Sequence, residues 1–109
     1  MTDTDATIRV LRNDEAGRYE IRVDDEVAGF TQFRADREGR LIFPHTEVDP
    51  AYAGQGLAGR LVGEAMADVA GRGETVVPRC PFVAKYLRGH DVDGLVIAWP
   101  PSRAAEDER

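Results

Sequence analysis

Thr46-Glu47-Val48-Asp49-Pro50, then Tyr52-Ala53-Gly54-Gln55-Gly56-Leu57-Ala58-Gly59, is where the chain changes its hydrophobic period, and that change decides the fold. Downstream, Leu57, Ala58, Leu61, Val62, Ala65, Met66, Val69 and Ala70 recur at helical spacing, with Arg60, Glu64 and Asp68 on the opposite side. This predicts an amphipathic helix of about four turns. Upstream the period is near two. Ile8 to Arg12, Tyr19 to Val23, Val27 to Phe33 and Leu41 to Val48 read as strands, broken at Asn13 to Gly17, Asp24-Asp25 and Asp36 to Gly39. Short polar breaks of this kind make hairpins, so an antiparallel four-strand meander is expected.

Gly71 and Gly73 end the long helix. Glu74 to Val77 then reads as a short strand, Pro81 to Arg88 as a two-turn helix and Leu95 to Ala98 as a last strand. The expected fold class is α+β, four antiparallel strands and then α-β-α-β, with helices covering the sheet and room for a parallel pairing across the long helix. Residues 7–99 form the expected domain, and the polar segments 1–6 and 100–109 are expected to be disordered.

The chain has 109 residues, 42% hydrophobic and 31% charged, which is one domain's length. At this size roughly 60–70% of the unfolded surface becomes buried. Its net charge of −6 disfavours a dedicated nucleic-acid binder, whose affinity rests on basic side chains at phosphates. No apolar run approaches the ~20 residues needed to span a bilayer. The start, Met1-Thr2-Asp3-Thr4-Asp5, carries acids where a signal peptide has a basic region, so a cytoplasmic protein is expected. The single cysteine, Cys80, rules out an intramolecular disulfide, and with His45 and His90 alone beside it no four-ligand zinc set is expected.

Amides at a helix start have no intrahelical acceptors, and an anion can supply them. Glycines at Gly54 and Gly56 let a diphosphate approach the backbone, although they also suit a simple turn. A Rossmann site is disfavoured because the loop follows four antiparallel strands rather than the first strand of a βαβ unit. A P-loop is excluded by the absence of Gly-Lys-Ser/Thr.

The strand Thr46 to Pro50 with Tyr52 to Ala58 resembles the acetyl-CoA motif of the GNAT superfamily of N-acetyltransferases, Arg/Gln-x-x-Gly-x-Gly/Ala. Gly56 and Ala58 match the two small positions, whereas Ala53 stands where the motif has Arg or Gln. A closer likeness spans about residues 8–97: His45-Thr46-x-Val48, the glycine loop, and Val77-Pro78-Arg79-Cys80-Pro81-Phe82-Val83 with Tyr86 and His90. It resembles the small stand-alone GNAT-like proteins of the YjdJ and plant minimal acetyltransferase type, which lack the N-terminal helices of ordinary members. The resemblance implies acetyl-CoA as cofactor. Its pyrophosphate would meet the backbone of Gly54, Gln55, Gly56, Leu57, Ala58 and Gly59, its pantetheine arm the backbone around Val48, and a phosphate Arg60. Lys85 and Arg88 are further cations able to meet phosphates, though helix charges are usually solvated.

Three side chains are catalytic candidates. Pro81 suits the first position of a helix, which places Cys80 at its N-cap, where the positive end of the dipole favours a thiolate nucleophile. A free cysteine is also commonly a small buried hydrophobe. By resemblance Cys80 lies near the acetyl-CoA sulfur and takes the acetyl group covalently. His45 has the chemistry of a general base and, from strand alternation, shares a face with Phe43 and Glu47; it ranks ahead of Glu47, and a half-buried structural histidine is the plainer alternative. Tyr86 resembles the GNAT tyrosine that protonates the leaving thiolate, and it could equally pack on the sheet. His90 is assigned to the surface and Trp99 to the core.

The expected function is therefore an acetyl-CoA-dependent N-acetyltransferase acting on a small-molecule amine or a lysine-bearing protein. The alternatives are a CoA-binding or protein-interaction module without turnover and, more plainly, a structural adaptor whose glycines merely turn. No metal, nucleic acid or membrane partner is expected, and an exposed sheet edge allows a monomer or a weak homodimer.

Overall fold

The structure, a computed structural model, describes residues 7–100, so the segment 1–6 and all but Pro100 of the segment 100–109, both expected to be disordered, lie outside the described residues. Strands β1 (Ile8–Asn13), β2 (Arg18–Val23), β3 (Glu26–Ala35) and β4 (Leu41–Val48) form an antiparallel meander. Helix α1 (Leu57–Gly71), strand β5 (Thr75–Pro78), helix α2 (Pro81–Gly89) and strand β6 (Val96–Ile97) follow. The six strands lie in one sheet in sequence order, with β5 parallel to β4 and β6 parallel to β5.

The turn between β2 and β3 is two aspartates at positive φ, Asp24 at 50° and Asp25 at 75°. Aspartate tolerates that region because its short side chain can bond nearby backbone, and here Asp24 Oδ1 accepts from the Thr7 amide at 3.0 Å. Both helices pack on one face of the sheet. Leu57, Leu61, Val62, Ala65, Met66 and Val69 of α1 are buried there, with Val83 and Leu87 of α2, against Tyr19, Ile21, Phe43 and Val76. No helix among the described residues is long and apolar enough to cross a membrane.

Two expectations change. Trp99 is 47% exposed rather than core, with the Arg88 guanidinium 5.3 Å from its ring centroid. The last strand pairs only through Val96 and Ile97, so Trp99 falls beyond the ladder and has no sheet face to hold it inward. The second change concerns β4. Gln32 pairs with His45 but Arg34 with Ile42, so Phe33 alone stands opposite both Phe43 and Pro44. This one-residue bulge reverses the side-chain alternation beyond it. Phe43 is fully buried, whereas His45 and Glu47 turn to the other, helix-free face, and Thr46 turns inward beside the buried Thr31. His45 therefore shares a face with Glu47 but not with Phe43.

Candidate functional site

The loop between β4 and α1 is built from the backbone. Asp49 Oδ1 accepts from the Ala51 amide at 2.9 Å and starts a single 3-10 turn over Pro50–Tyr52. Gly54 and Gly56 follow at φ 80° and 73°, so both need glycine for conformation alone, in keeping with the turn reading. The space above them is open: a Cβ at either would meet nothing within 4 Å. Gly56 is the N-cap of α1, no side chain caps the helix, and its first turn contains no acidic residue. The amides at this helix start are thus uncapped donors at the positive end of the dipole.

A hollow of about 280 Å³ lies against the loop, lined by Val48, Tyr52, Gly54, Gly56, Ala58 and Phe82 among others. It continues past Gly56, Gly59 and Phe82 into a hollow of about 630 Å³ between the helices, lined also by Arg60, Lys85, Tyr86 and His90. Leu57 is buried, so only its backbone faces the loop, and Gln55 is exposed. Arg60 is engaged elsewhere as well: it donates to Glu64 at 2.8 Å and to the Ile8 carbonyl at 3.3 Å. Burial, with Glu26, Asp49 and Asp24 nearby, holds the Tyr52 phenol above its ordinary value. Tyr52 is therefore a neutral hydroxyl beside the loop, with no phenolate to repel an anion.

Along β4, pairing with β5 runs through Leu41↔Val76, Ile42↔Val77 and Phe43↔Pro78 and then stops. Pro44 and Pro78 carry no N–H with which to extend the ladder. The Cys80 amide closes it by donating to the Phe43 carbonyl at 2.8 Å. From Pro44 to Val48 the β5-facing edge of β4 has no strand beside it among the described residues. The notch between β4 and β5 thus opens where Cys80 sits and leads toward the glycine loop.

Cys80 is the N-cap of α2, with Pro81 at the start of the helix. The residue is 5% exposed, and its sulfur makes no capping bond to α2; instead Sγ donates to Thr46 Oγ1 at 3.4 Å. Thr46 Oγ1 lies 2.8 Å from Thr31 Oγ1, and Thr31 Oγ1 is 3.5 Å from the His45 carbonyl oxygen. His45 itself, about half exposed, reaches Glu47 Oε1 through Nε2 at 3.0 Å, with its ring 6.2 Å from that of Phe30. Cys80 and His45 therefore flank the same stretch of β4 from opposite faces.

Tyr86 lies on α2, its hydroxyl pressed against α1 at Gly63, where an added Cβ would come within 2.6 Å of the phenol oxygen. His90 stacks on the Tyr86 ring at 4.0 Å and 6°, while its Nδ1 lies 2.9 Å from the Tyr86 carbonyl. The structure thus brings Tyr86 to the inter-helix hollow with Arg60, and Cys80 to the notch in β4. The sequence pattern assigns no role to Thr31 or Gly63, and Thr46 and Phe82 appear there only as members of motifs. Pro44 is the available signal for Thr46 and Thr31, because a proline inside a strand marks a bulge or an edge.

The antiparallel meander thus leads into a parallel β4–β5 notch, with the uncapped start of α1 at its end. The sequence pattern of the GCN5-related N-acetyl-transferases matches residues 18–93, well over half of the chain. The chain belongs to that family, and its general role is that of an acetyltransferase. No curated protein matches the chain.

Proposed function

We propose that this chain is an acetyl-CoA-dependent N-acetyltransferase whose acceptor is a primary amine, on a small molecule or on a protein lysine. The observation that carries the reading is the uncapped start of α1 behind Gly54 and Gly56, continuous with the groove along Val48 and Phe82. Open space above both glycines fits the approach of a diphosphate, since any Cβ there would occupy it. The amides from Gly56 to Gly59 would hold the diphosphate, the β4 edge near Val48 the pantetheine arm, and Arg60 a phosphate. Bound there, acetyl-CoA supplies an acetyl group activated as a thioester, for the amine directly or by way of the Cys80 sulfur.

The side chains divide the remaining work. Cys80 stands in the β4–β5 notch as the acetyl-accepting sulfur. On the outer face, Glu47 accepts from His45 Nε2–H, which leaves Nδ1 as the nitrogen that takes a proton from the incoming amine. Tyr86 Oη, fixed against α1, is the donor that returns a proton to the departing thiolate. Holding the reacting groups in one orientation lowers the barrier by several kcal/mol without further chemistry. A single cysteine, with no second one to bridge to, accords with a cytoplasmic setting.

The test is incubation of the purified chain with acetyl-CoA, followed by intact-mass analysis and by release of free CoA thiol when amines are added. One acetyl group on Cys80, its absence in Cys80→Ala, and amine-dependent thiol release are the expected results. Full transfer by Cys80→Ala would exclude the covalent route. Saturable cofactor binding with no release for any amine or lysine peptide would favour a binding module without turnover.

A further inference from the structure

The sulfur of Cys80 sits at a helix N-terminus, yet no hydrogen bond joins it to α2. Its hydrogen-bond partner is a side chain from 34 residues earlier, Thr46 Oγ1 at 3.4 Å. That contact exists because the β4 bulge at Phe43 and Pro44 turns Thr46 inward. Without the extra residue, Thr46 would face outward and His45 inward. Behind Thr46 stands Thr31, with no exposed surface, its Oγ1 2.8 Å from Thr46 Oγ1 and 3.5 Å from the His45 carbonyl oxygen.

With the thiol protonated, one direction satisfies every group: S–H donates to Thr46, Thr46 O–H donates to Thr31, and Thr31 O–H donates to the His45 carbonyl. When the sulfur ionises, its proton leaves to water, and the anion can only accept. Both hydroxyls can then rotate. Thr46 O–H turns to donate to the thiolate, and Thr31 O–H leaves its long contact with the carbonyl to donate to Thr46.

We propose that Thr46, backed by Thr31, is the positioning residue of Cys80: it fixes the thiol in the β4–β5 notch and stabilises the thiolate by reversing a two-hydroxyl hydrogen-bond chain. The role of that thiolate as acetyl acceptor rests on the function proposed above, whereas the hydrogen-bond chain does not. A hydrogen bond to a charged group is worth more than one to a neutral group. Thr46 therefore favours the reactive form of a sulfur that is almost shut off from water.

Because Cys80 is the chain's single cysteine, its S–H stretching band and its alkylation can be read without interference. Infrared spectra and iodoacetamide alkylation rates at neutral pH are compared for the native chain, Thr46→Val, Thr46→Ala and Thr46→Ser, with circular dichroism melts for each. Valine keeps the shape and removes the hydroxyl. The expected result is an S–H band moved to higher frequency and alkylation slowed about tenfold in Thr46→Val and Thr46→Ala, with both readings restored in Thr46→Ser. An unmoved band together with an unchanged rate in folded Thr46→Val overturns the proposal. If band and rate respond as expected but acetyl-CoA never labels Cys80, the hydroxyl chain stands and the acetyl-accepting role fails.

Discussion

Gly63 sits on the face of α1 that meets α2, and two opposing effects act there. Alanine in a helix interior is better than glycine by roughly 1 kcal/mol. The new Cβ, however, would lie 2.6 Å from Tyr86 Oη and 3.3 Å from its Cζ, which drives the ring away from α1 and off its stack with His90. Overpacking of this kind costs about 1–3 kcal/mol, so it outweighs the gain. Gly63→Ala is expected to lower the unfolding midpoint in urea. In a Tyr86→Phe background, where the closest contact is gone, the same substitution should cost measurably less. A double-mutant cycle reads the difference, and additive effects would mean that Gly63 does not seat the tyrosine.

At the scale of elements, the loop and the notch were legible to different degrees. The glycine loop was read from the switch of period at Pro50 and from Gly54 and Gly56, since local spacing is enough to mark a helix start. The β4 bulge was not read. A one-residue insertion leaves the hydrophobic pattern intact on both sides and changes only which face each half presents, so strict alternation placed His45 with Phe43. Trp99 was misplaced for a related reason, because its burial depended on how far the β5–β6 ladder runs. The partner of the Cys80 thiol lies 34 residues away, and pairings across that distance are a property of register rather than of composition. For the loop itself, Gly56→Ala forces a side chain to φ 73°, at a cost of about 1–2 kcal/mol. Because nothing crowds that position, the apo protein should still fold, with a melting temperature lower by roughly 4–16 °C. Its affinity for acetyl-CoA, measured by titration calorimetry, should fall much more than its stability.

Among the described residues no helix covers the outer face of the sheet, and several charges pair along single strands and turns, as Glu20 does with Arg18 and Arg22. Burial alone would raise the carboxyl of Glu20, but hydrogen bonds from Arg22, Arg18 and Asn13 outweigh it and hold the group below the ordinary 4.5. Asp68 is likewise lowered from 3.8, where burial opposes and the bonds from Tyr19 and Arg72 prevail. Both groups bind protons less readily folded than unfolded, so their contribution is complete above the ordinary carboxylate range and is lost as the pH falls below it. Tyr19 behaves oppositely. Burial and its 2.7 Å bond to Asp68 hold the phenol above the ordinary 10.0, and its contribution is lost as the pH rises past that value. Urea midpoints followed against pH should show a plateau bounded by losses below the carboxylate range and above pH 10. Replacing Glu20 by Gln should flatten part of the acid limb.

The central claim is that the glycine loop and the β4 edge hold acetyl-CoA, and thermal unfolding titrated with that ligand tests it most directly. Adenosine, which lacks the diphosphate, is the control. Ligand at 100 times its dissociation constant should stabilise the fold by about 2.7 kcal/mol, a saturable rise in Tm that adenosine does not produce. An unchanged Tm at millimolar acetyl-CoA would contradict the account and leave Gly54 and Gly56 as the residues of a turn.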